Sequence, residues 1–584
     1  MKRRYSLRIF LAILLIATPL AHVEAARADN PPRKILTGWL PYYSMKTYLP
    51  AVLANADLIK EIMPFWYTLR YDSKTKKPVV VDVYKTANPS VPIATPLAAL
   101  RNAGMTIIPT VTDGTSEMML ANLISKPVSR KQVVDAIMAT VASQNYDGID
   151  LDFEGFAFID SPSTWKATAP NWVLFIKELS AALRAQNKLL SVTTPYVFNP
   201  AEKQKGYFVY AWADIAPFID RLRIMTYDYS TSRPGPIGPL EWTEKTVKYA
   251  ISIMPASKVY LGLPGYGKDW VTKVEGVCPA SVAKVITPKA RAGTFLMRDA
   301  ANIAATYGAV PIYDQKFGEV TFSYKREYTG QTSSGLSTTC TASRTAWHQN
   351  AQSFSERAKL VAKHQLGGAA QWVIGQEEPL AMVAIREVAT SIAPTQLAST
   401  LSVSKTEVAY GNPITLSGQI TLKDKSPVPA LSFSVEGTYP DGTVRTLTTG
   451  VTGSDGTYVL PILIGKSVTV RVKTDASWER AASVTQPISI MISRNLIIDP
   501  PTSVKAGTPF TISGVVLPRT AGASLTLNTA SGKVITAAVL TDAQGTFTFT
   551  IPPQARGINT YQVAIAADAE WPSLKSATFS IIIR

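Results

Sequence analysis

The strongest constraint on the fold is an alternation of apolar, strand-like runs with helical runs from residue 33 to about residue 393. Amphipathic helical runs such as NWVLFIKELSAALRAQN separate eight candidate strands: KILTGWL, EIMPFWYTL, MTIIPTVT, YDGIDLDF, LLSVTTPY, RLRIMTYD, KVYLGLPGYG and GGAAQWVIG. Alternating strands and helices favour parallel βα units. Eight such units predict a (β/α)8 TIM barrel, of the α/β class.

The connection between the seventh and eighth candidate strands, about residues 271–345, is long enough to be a small insertion. It contains the chain's two cysteines, Cys278 and Cys340. In an oxidising compartment we expect them to form a disulfide, and a closed loop of about 63 residues would stabilise the fold by about 4 kcal/mol in the chain-entropy model. Two cysteines and three histidines give no recognisable metal-binding pattern. We therefore expect no metal and no cofactor.

Residues 397–584 differ in composition from the preceding part, being rich in Thr, Ser and Val, with short strand-like runs and Gly turns. This part also repeats itself, since YGNPITLSGQI at 410–420 matches AGTPFTISGVV at 506–516. The offset is close to the size of one β-sandwich, so the repeat predicts two immunoglobulin-like sandwiches, at 397–490 and 491–584. A spacer, a carbohydrate-binding module and an adhesive module are all compatible with this pair.

Residues 1–28 have the three parts of a secretory signal peptide. Lys2, Arg3 and Arg4 precede an apolar run at 9–21, and small residues follow as candidate cleavage sites. We expect a secreted, monomeric protein whose barrel domain covers residues 29–394. A retained N-terminal anchor is the alternative.

Removing residues 1–28, with five Lys or Arg and one Glu, lowers the formal net charge from +17 to +13. A basic surface, or the sandwiches, could hold the protein at an anionic cell envelope, and a basic surface without a partner is equally consistent. No nucleic acid is expected as a partner, because no compact basic run and no nucleic-acid-binding module is present.

Three acids alternate with apolar residues in NYDGIDLDFEG, at Asp150, Asp152 and Glu154. Successive strand side chains point to opposite faces, so these three share one face at steps of roughly 6.7 Å. On the fourth strand of a barrel, Glu154 would lie at the catalytic mouth with the aspartates below it. Repulsion between crowded carboxylates favours a bound proton, which suits general acid catalysis. A metal site and a half-solvated edge strand are the competing interpretations.

The segment DGIDLDFE resembles the DxxDxDxE signature of glycoside hydrolase family 18, the chitinase-like barrels. MTYDYS at 225–230 resembles the family's sixth-strand Met-x-Tyr-Asp, and QWVIG at 371–375 resembles its eighth-strand tryptophan segment. The resemblance covers most of residues 33–390. GWLPYYS and PFWYTL look closer to the branch of spore-cortex and cell-wall N-acetylglucosaminidases, whereas IIPTVTDG departs from the Ser-x-Gly-Gly of chitinases.

This resemblance implies a retaining glycosidase that cleaves β-1,4-linked N-acetylglucosamine polymers, either chitin or peptidoglycan, with the substrate's acetamido oxygen as nucleophile. Glu154 would be the general acid, Asp152 would orient the acetamido group and Asp150 would support Asp152. Tyr227 would hydrogen-bond the acetamido group. The expected substrate-binding residues are Asp228, Met225, Trp372, Trp66 and Tyr42. The alternatives are a non-catalytic, lectin-like relative, which typically lacks the Glu or the Asp, and a surface adhesion protein.

Overall fold

The computed structural model of the protein describes residues 30–584, so the predicted signal peptide lies outside the described residues. The described chain divides into two units between Ala393 and Pro394. Within residues 30–584, no helix has both the length and the apolar character that crossing a lipid bilayer requires.

Eight parallel strand positions form the centre of the first unit, in the predicted order: Leu36–Pro41, Ile59–Phe65, Thr106–Ile107 with Thr110–Asp113, Gly148–Asp152, Leu189–Pro195, Arg221–Met225, Val259–Pro264 and Gly368–Trp372. The second strand continues after Trp66 as Tyr67–Asp72, which also forms a hairpin with Lys77–Asp82. The eighth strand pairs with the first, with Leu36 opposite Ala369, so the sheet closes. The predicted (β/α)8 barrel is confirmed, and a closed barrel excludes the edge-strand interpretation of the acidic motif.

Helices cover the outside of this sheet because each presents an apolar stripe to it. In the longest helix, for example, Trp172, Phe175, Leu179 and Leu183 are buried in the main core. The α-helices of the barrel are Met45–Ala54, Val83–Ala87, Ala94–Asn102, Met119–Ser125, Pro127–Ser143, Gly155–Phe158, Trp165–Arg184, Trp212–Ile215, Leu240–Ile253, Ala351–His364 and Pro379–Ser391. Short 3-10 turns occur at Pro162–Thr164, Pro200–Glu202, Phe208–Tyr210 and Ala256–Lys258.

The insertion between the seventh and eighth strands is an antiparallel sheet of five strands, in the spatial order Gly293–Leu296, Tyr266–Gly276, Ser337–His348, Glu319–Gln331 and Ile312–Asp314. Helix Ala300–Thr306 and the 3-10 turn Met297–Asp299 belong to it. It extends over 266–348, wider than the predicted 271–345, because its first strand follows the seventh barrel strand after Gly265 alone. Cys278 and Cys340 form the predicted disulfide, with a Cα–Cα distance of 4.7 Å.

The second unit, residues 394–584, is fully described and consists of β-strands and loops. Its first repeat contains Leu397–Ser399, Ser402–Val403, Glu407–Ala409, Ile414–Leu422, Ser432–Thr438, Val444–Val451, Thr457–Ile462, Val468–Thr474, Ser483–Val484 and Ile488–Ser493. The second contains Asn495–Asp499, Ser503–Val504, Phe510–Leu517, Ser524–Thr529, Val539–Leu540, Thr546–Ile551, Gly557–Ile565, Leu574–Lys575 and Phe579–Ile583. Pairing is antiparallel except that, in each repeat, one short early strand runs parallel to the last strand. Each repeat encloses an apolar core, and Trp571 of the second repeat belongs to the core of the first.

Candidate active site

The three acids of the DxDxE segment form a column inside the barrel. Asp150 and Asp152 lie on the fourth strand, Gly148–Asp152, and Glu154 follows the end of that strand immediately before helix Gly155–Phe158. Asp150 is fully buried and Asp152 is 7% exposed, whereas Glu154 is only partly buried. The column therefore runs from the barrel interior to the mouth at the carboxyl ends of the strands, and we call it the acid column.

Asp150 at the bottom of the acid column accepts hydrogen bonds from three hydroxyl groups on neighbouring strands. Thr110 Oγ1 donates to Oδ2 over 2.9 Å, while Ser191 Oγ and Thr193 Oγ1 donate to Oδ1 over 2.5 and 2.9 Å. Arg223 Nη1 lies 3.8 Å from Oδ1. Three hydroxyl donors and one guanidinium therefore surround the Asp150 carboxyl group at the bottom of the column.

The carboxyl groups of Asp152 and Glu154 lie close enough to share a hydrogen bond, and such a bond between two carboxyl groups requires one of them to be protonated. Burial raises the pKa of Asp152 well above its usual value, and the charges of Glu154 and Asp150 raise it further. Burial also raises the pKa of Glu154 to about 7, although its bond to Asp152 lowers it and the charge of Asp228 raises it. The pair thus holds one proton near neutral pH, next to the mouth, and that proton is available to an acid catalyst.

Tyr227 and Asp228 follow the sixth strand and lie beside the acid column. The pKa of Tyr227 is raised by burial and by the charges of Asp152 and Glu154, so its hydroxyl stays protonated and can donate a hydrogen bond. Asp228 adopts a left-handed backbone conformation with φ of 57°. Its Oδ1 accepts a hydrogen bond from Tyr266 over 2.6 Å and pairs with the ammonium group of Lys268. Both partners belong to the first strand of the insertion, which therefore fixes Asp228.

Trp372 ends the eighth strand and lies in an aromatic cluster at the same end of the barrel. Its ring is edge-on to Trp39 and Phe65, with centroid distances of 5.8 and 4.8 Å, and it also packs near Tyr227. The peptide bond that follows Trp372 is cis. Met225, at the end of the sixth strand, is 9% exposed. The structure thus brings these predicted sugar contacts to the mouth.

Trp66 does not lie in the mouth, and its predicted role in substrate binding is corrected here. Its side chain is fully buried and packs against Tyr84, with ring centroids 4.5 Å apart, on the outer side of the sheet. Strand side chains alternate, so the preceding residue, Phe65, faces the mouth and meets Trp372. Tyr42 is half-buried and edge-on to the exposed Tyr43, at 5.4 Å.

The sequence argument missed several polar groups around the acid column. Asp113 ends the third strand, and its carboxyl group lies against the backbone of Gly155, next to Glu154. The contact is so close that a Cβ at position 155 would collide with Asp113 Oδ2. Burial raises the pKa of Asp113. Tyr210 is also buried, and its hydroxyl donates to the carbonyl of Phe153 over 2.7 Å. The available signal for Asp113 was its place at a strand end in IIPTVTDG, at the same barrel edge as Glu154.

Metal binding was the competing interpretation of the three acids. The oxygens of Asp150 are already occupied by hydroxyl donors, and Asp152 is bonded to Glu154. Among residues 30–584, no group of three or more His, Cys, Asp or Glu side chains has an arrangement that could hold a metal ion. The geometry instead suits proton transfer.

A comparison with protein-family models matches residues 83–377, which are 295 of the 584 residues, to glycosyl hydrolases family 18. The chain belongs to glycosyl hydrolase family 18. The matched region contains the acid column, Tyr227, Asp228 and Trp372.

Proteins similar in sequence to this chain come from bacteria and from animals. The Bacillus subtilis protein YdhD, whose name describes a sporulation-specific glycosylase, is 23% identical over 280 residues, which are 48% of this chain and 57% of that protein. A cortical fragment-lytic enzyme of Bacillus anthracis is 23% identical over 281 residues, covering 47% of this chain and 57% of that enzyme. The alignments thus span little more than half the length of these relatives.

Solved structures with a similar arrangement include a chitinase from Chromobacterium violaceum, with a TM-score of 0.48 and 22% identity over 61% of this chain and 98% of that one. The spore cortex-lytic enzyme SleL of Bacillus megaterium has a TM-score of 0.48 and 18% identity, covering 62% of this chain and 75% of that one.

Proposed function

We propose that this protein is a secreted glycosidase that hydrolyses β-1,4-linked N-acetylglucosamine polymers, chitin or peptidoglycan, with retention of configuration. The nucleophile is the acetamido oxygen of the substrate itself, which attacks the anomeric carbon and forms a cyclic oxazolinium intermediate. Water then opens this intermediate from the same face that the leaving group vacated. The enzyme supplies a proton donor and a group that steadies the acetamido group, and the sugar supplies the nucleophile.

The observation that carries this proposal is the acid column itself. Burial and mutual proximity raise the pKa of Asp152, burial raises that of Glu154, and Asp150 below them accepts hydrogen bonds from three hydroxyl groups. Glu154 lies nearest the mouth and donates the proton to the glycosidic oxygen as the bond breaks. Asp152 hydrogen-bonds the acetamido nitrogen and stabilises the positive charge that develops on the oxazolinium ring. Asp150 contributes a fixed negative charge behind Asp152, which favours the same positive intermediate.

A row of aromatic side chains along the mouth supports a polymeric sugar substrate. We call it the aromatic ridge, and it consists of Phe158, Tyr207, Tyr196, Trp242 and Tyr229, with successive ring centroids 4.9–5.3 Å apart. Phe158 and Tyr229 at its two ends are 56% and 51% exposed. The pKa of Tyr207 is raised by burial and also by the charges of Asp228 and Glu154, which places the ridge beside the acid column. Aromatic faces of this kind are common in the binding sites of apolar-faced ligands such as sugar rings.

The proposed extracellular location is supported by the signal-like residues 1–28, the disulfide and the basic charge. In this proposal the two C-terminal repeats are immunoglobulin-like sandwiches that connect the glycosidase to the cell surface or to its polymer. Two features support the immunoglobulin-like assignment: each repeat has two sheets around one core, and each pairs an early strand in parallel with its last strand.

Product analysis tests the proposed substrate and mechanism. The purified protein is incubated with chitin oligosaccharides and, separately, with purified peptidoglycan, and products are identified by mass spectrometry. Proton NMR of the first product gives its anomeric form, which should be β. Glu154→Gln is the matched control, and we expect it to be slower by several orders of magnitude. Binding of either polymer without turnover by the wild type would instead favour the lectin-like alternative, and an initial α product would contradict retention.

A further inference from the structure

We infer that Arg223, paired with Glu61 beneath the acid column, is a positioning residue that keeps Asp150 ionised and so sets the acidic limit of the active pH range. It acts on the reacting atoms only through Asp150 and Asp152. This role goes beyond the proposed substrate and mechanism. It concerns the charge of the active site itself, whichever substrate the enzyme hydrolyses.

Arg223 and Glu61 are charged residues in a part of a barrel that is ordinarily filled with branched apolar side chains. Arg223 lies on the sixth strand and is fully buried, and Glu61 on the second strand is 1% exposed. Arg223 Nη2 donates to Glu61 Oε2 over 2.5 Å, and Arg221 Nε donates to Glu61 Oε1 over 2.8 Å. The guanidinium of Arg223 also lies 5.0 Å from the ring centre of Tyr260.

The opposite side of the Arg223 guanidinium faces Asp150. Its Nη1 lies 3.8 Å from Asp150 Oδ1 and donates a hydrogen bond to Ser191 Oγ. Since Ser191 Oγ accepts from a group that cannot itself accept, the Ser191 hydroxyl proton is free to point at Asp150, and it does so over 2.5 Å. Arg223 therefore stabilises the Asp150 anion twice, by its charge and by orienting a hydroxyl donor.

Charge balance shows why this matters for catalysis. Arg223 and Arg221 supply two positive charges, and Glu61 and Asp150 supply two negative ones, so these four contacting groups are neutral together when Asp150 is ionised. The proton needed for catalysis then stays on the Asp152 and Glu154 pair. Without Arg223, Asp150 would be a buried anion with no cationic side chain within 4 Å among residues 30–584, and the column would take up a second proton at higher pH.

Other titratable or charged groups also face the column, and they are unchanged in the experiment below. From the mouth and the neighbouring strands these are Asp113, Tyr207, Tyr210, Tyr227, Asp228, Tyr266 and Lys268, and near Glu61 they are Lys60, Arg221 and Tyr260.

The experiment compares the pH dependence of kcat/KM for the wild type, Glu61→Gln, the charge-balanced double variant Arg223→Met with Glu61→Gln, and Arg223→Lys. The substrate is the chitin oligosaccharide or peptidoglycan fragment that the wild type turns over. For the double variant we expect the acidic midpoint to move up by about one pH unit, with about a tenfold loss of activity on the acidic side. For Glu61→Gln we expect the acidic midpoint to move to lower pH. Arg223 then has no competing carboxylate partner, so its charge stabilises the Asp150 anion more strongly. Arg223→Lys keeps the charge, so its midpoint should stay closest to that of the wild type.

A second measurement does not depend on turnover. The thermal unfolding midpoint of each variant is followed from about pH 4 to pH 8, and the double variant should lose more stability with rising pH than Glu61→Gln does. The inference is overturned if the folded double variant has the wild-type acidic midpoint and the wild-type dependence of stability on pH. It is also overturned if Glu61→Gln and the double variant move the midpoint in the same direction. Absence of turnover in the wild type would count against the proposed substrates, and the stability measurement would still decide the role of Arg223.

Discussion

Replacing Glu154 by Gln should abolish most of the activity and, above neutral pH, make the barrel more stable. The pKa of Glu154 is raised in the folded protein from 4.5 to about 7, chiefly by burial. A carboxyl group whose pKa is raised by folding adds stability that is complete below the unfolded-state pKa, and this stability is lost as the pH rises through the folded-state pKa. Glutamine stays neutral throughout, so the variant avoids that loss.

The magnitude follows from the two pKa values. The difference between 4.5 and about 7 corresponds to about 3 kcal/mol, at roughly 1.4 kcal/mol for each pKa unit. Removing the Glu154 charge also lowers the pKa of Asp152, since Glu154 is one of the causes that raise it, and this adds in the same direction. For a barrel of about 360 residues with an unfolding entropy of roughly 2.1 cal/mol/K per residue, about 3 kcal/mol raises the unfolding midpoint by about 4 °C.

The assay is thermal unfolding of wild type and Glu154→Gln, followed by tryptophan fluorescence at about pH 4, 6 and 8. The gain of the variant over the wild type should be smallest at the lowest pH and should grow to about 4 °C at the highest. Glu117→Gln is the control, because Glu117 is exposed and its substitution should leave the pH dependence of the midpoint unchanged. A gain that is constant with pH, or that falls as pH rises, would refute the assignment of a shared, buried proton to this site.

Three further predictions concern the surroundings of the acid column. Lys268→Met leaves the charge of Asp228 unpaired, so the pKa of Glu154 rises and the basic limb of the kcat/KM profile moves up by about 0.5 pH unit. Trp66→Phe should lower the free energy of unfolding by about 2 kcal/mol without changing KM, since Trp66 packs in the core. A raised KM with unchanged stability would instead indicate that Trp66 contacts the substrate. Removal of residues 394–584 should change kcat/KM on short oligosaccharides by less than about twofold, whereas a large loss would favour the adhesion alternative.

The fold of the barrel could be predicted from the sequence because its strands are buried on both faces and therefore form continuous apolar runs. All eight candidate segments overlap the observed strands, and five of them contain the strand completely. Two strands are interrupted, the second at Trp66 and the third before Thr110. Hydropathy does not reveal these interruptions, because the residues on both sides are equally apolar. The start of the insertion at Tyr266 was missed for a related reason. Its first strand continues the composition of the seventh barrel strand across a single glycine.

The acid column was predictable because period-two spacing fixes the face on which each acid lies. The same spacing in PFWYTL assigns Phe65 to the mouth and Trp66 to the outer layer. Partners from other strands depend on register between strands that are far apart in sequence. Three hydroxyl donors meet at Asp150 from the third and fifth strands, and sequence spacing on one strand contains no information about such a meeting.

The same limit explains why the charge of the column could not be assigned from its own strand. Three acids in a row predict repulsion and a shared proton, but they do not predict which carboxyl group holds it. That choice follows from unequal partners: Asp150 has hydroxyl donors and a guanidinium, whereas Asp152 has a buried oxygen, Oδ1, without a donor among the described residues. The proton therefore stays in the upper part of the column, next to the bond to be broken. In RLRIM, Arg221, Arg223 and Met225 share one strand face. Spacing therefore predicts that Arg223 points inward, but it does not predict the partner, Glu61, on a distant strand.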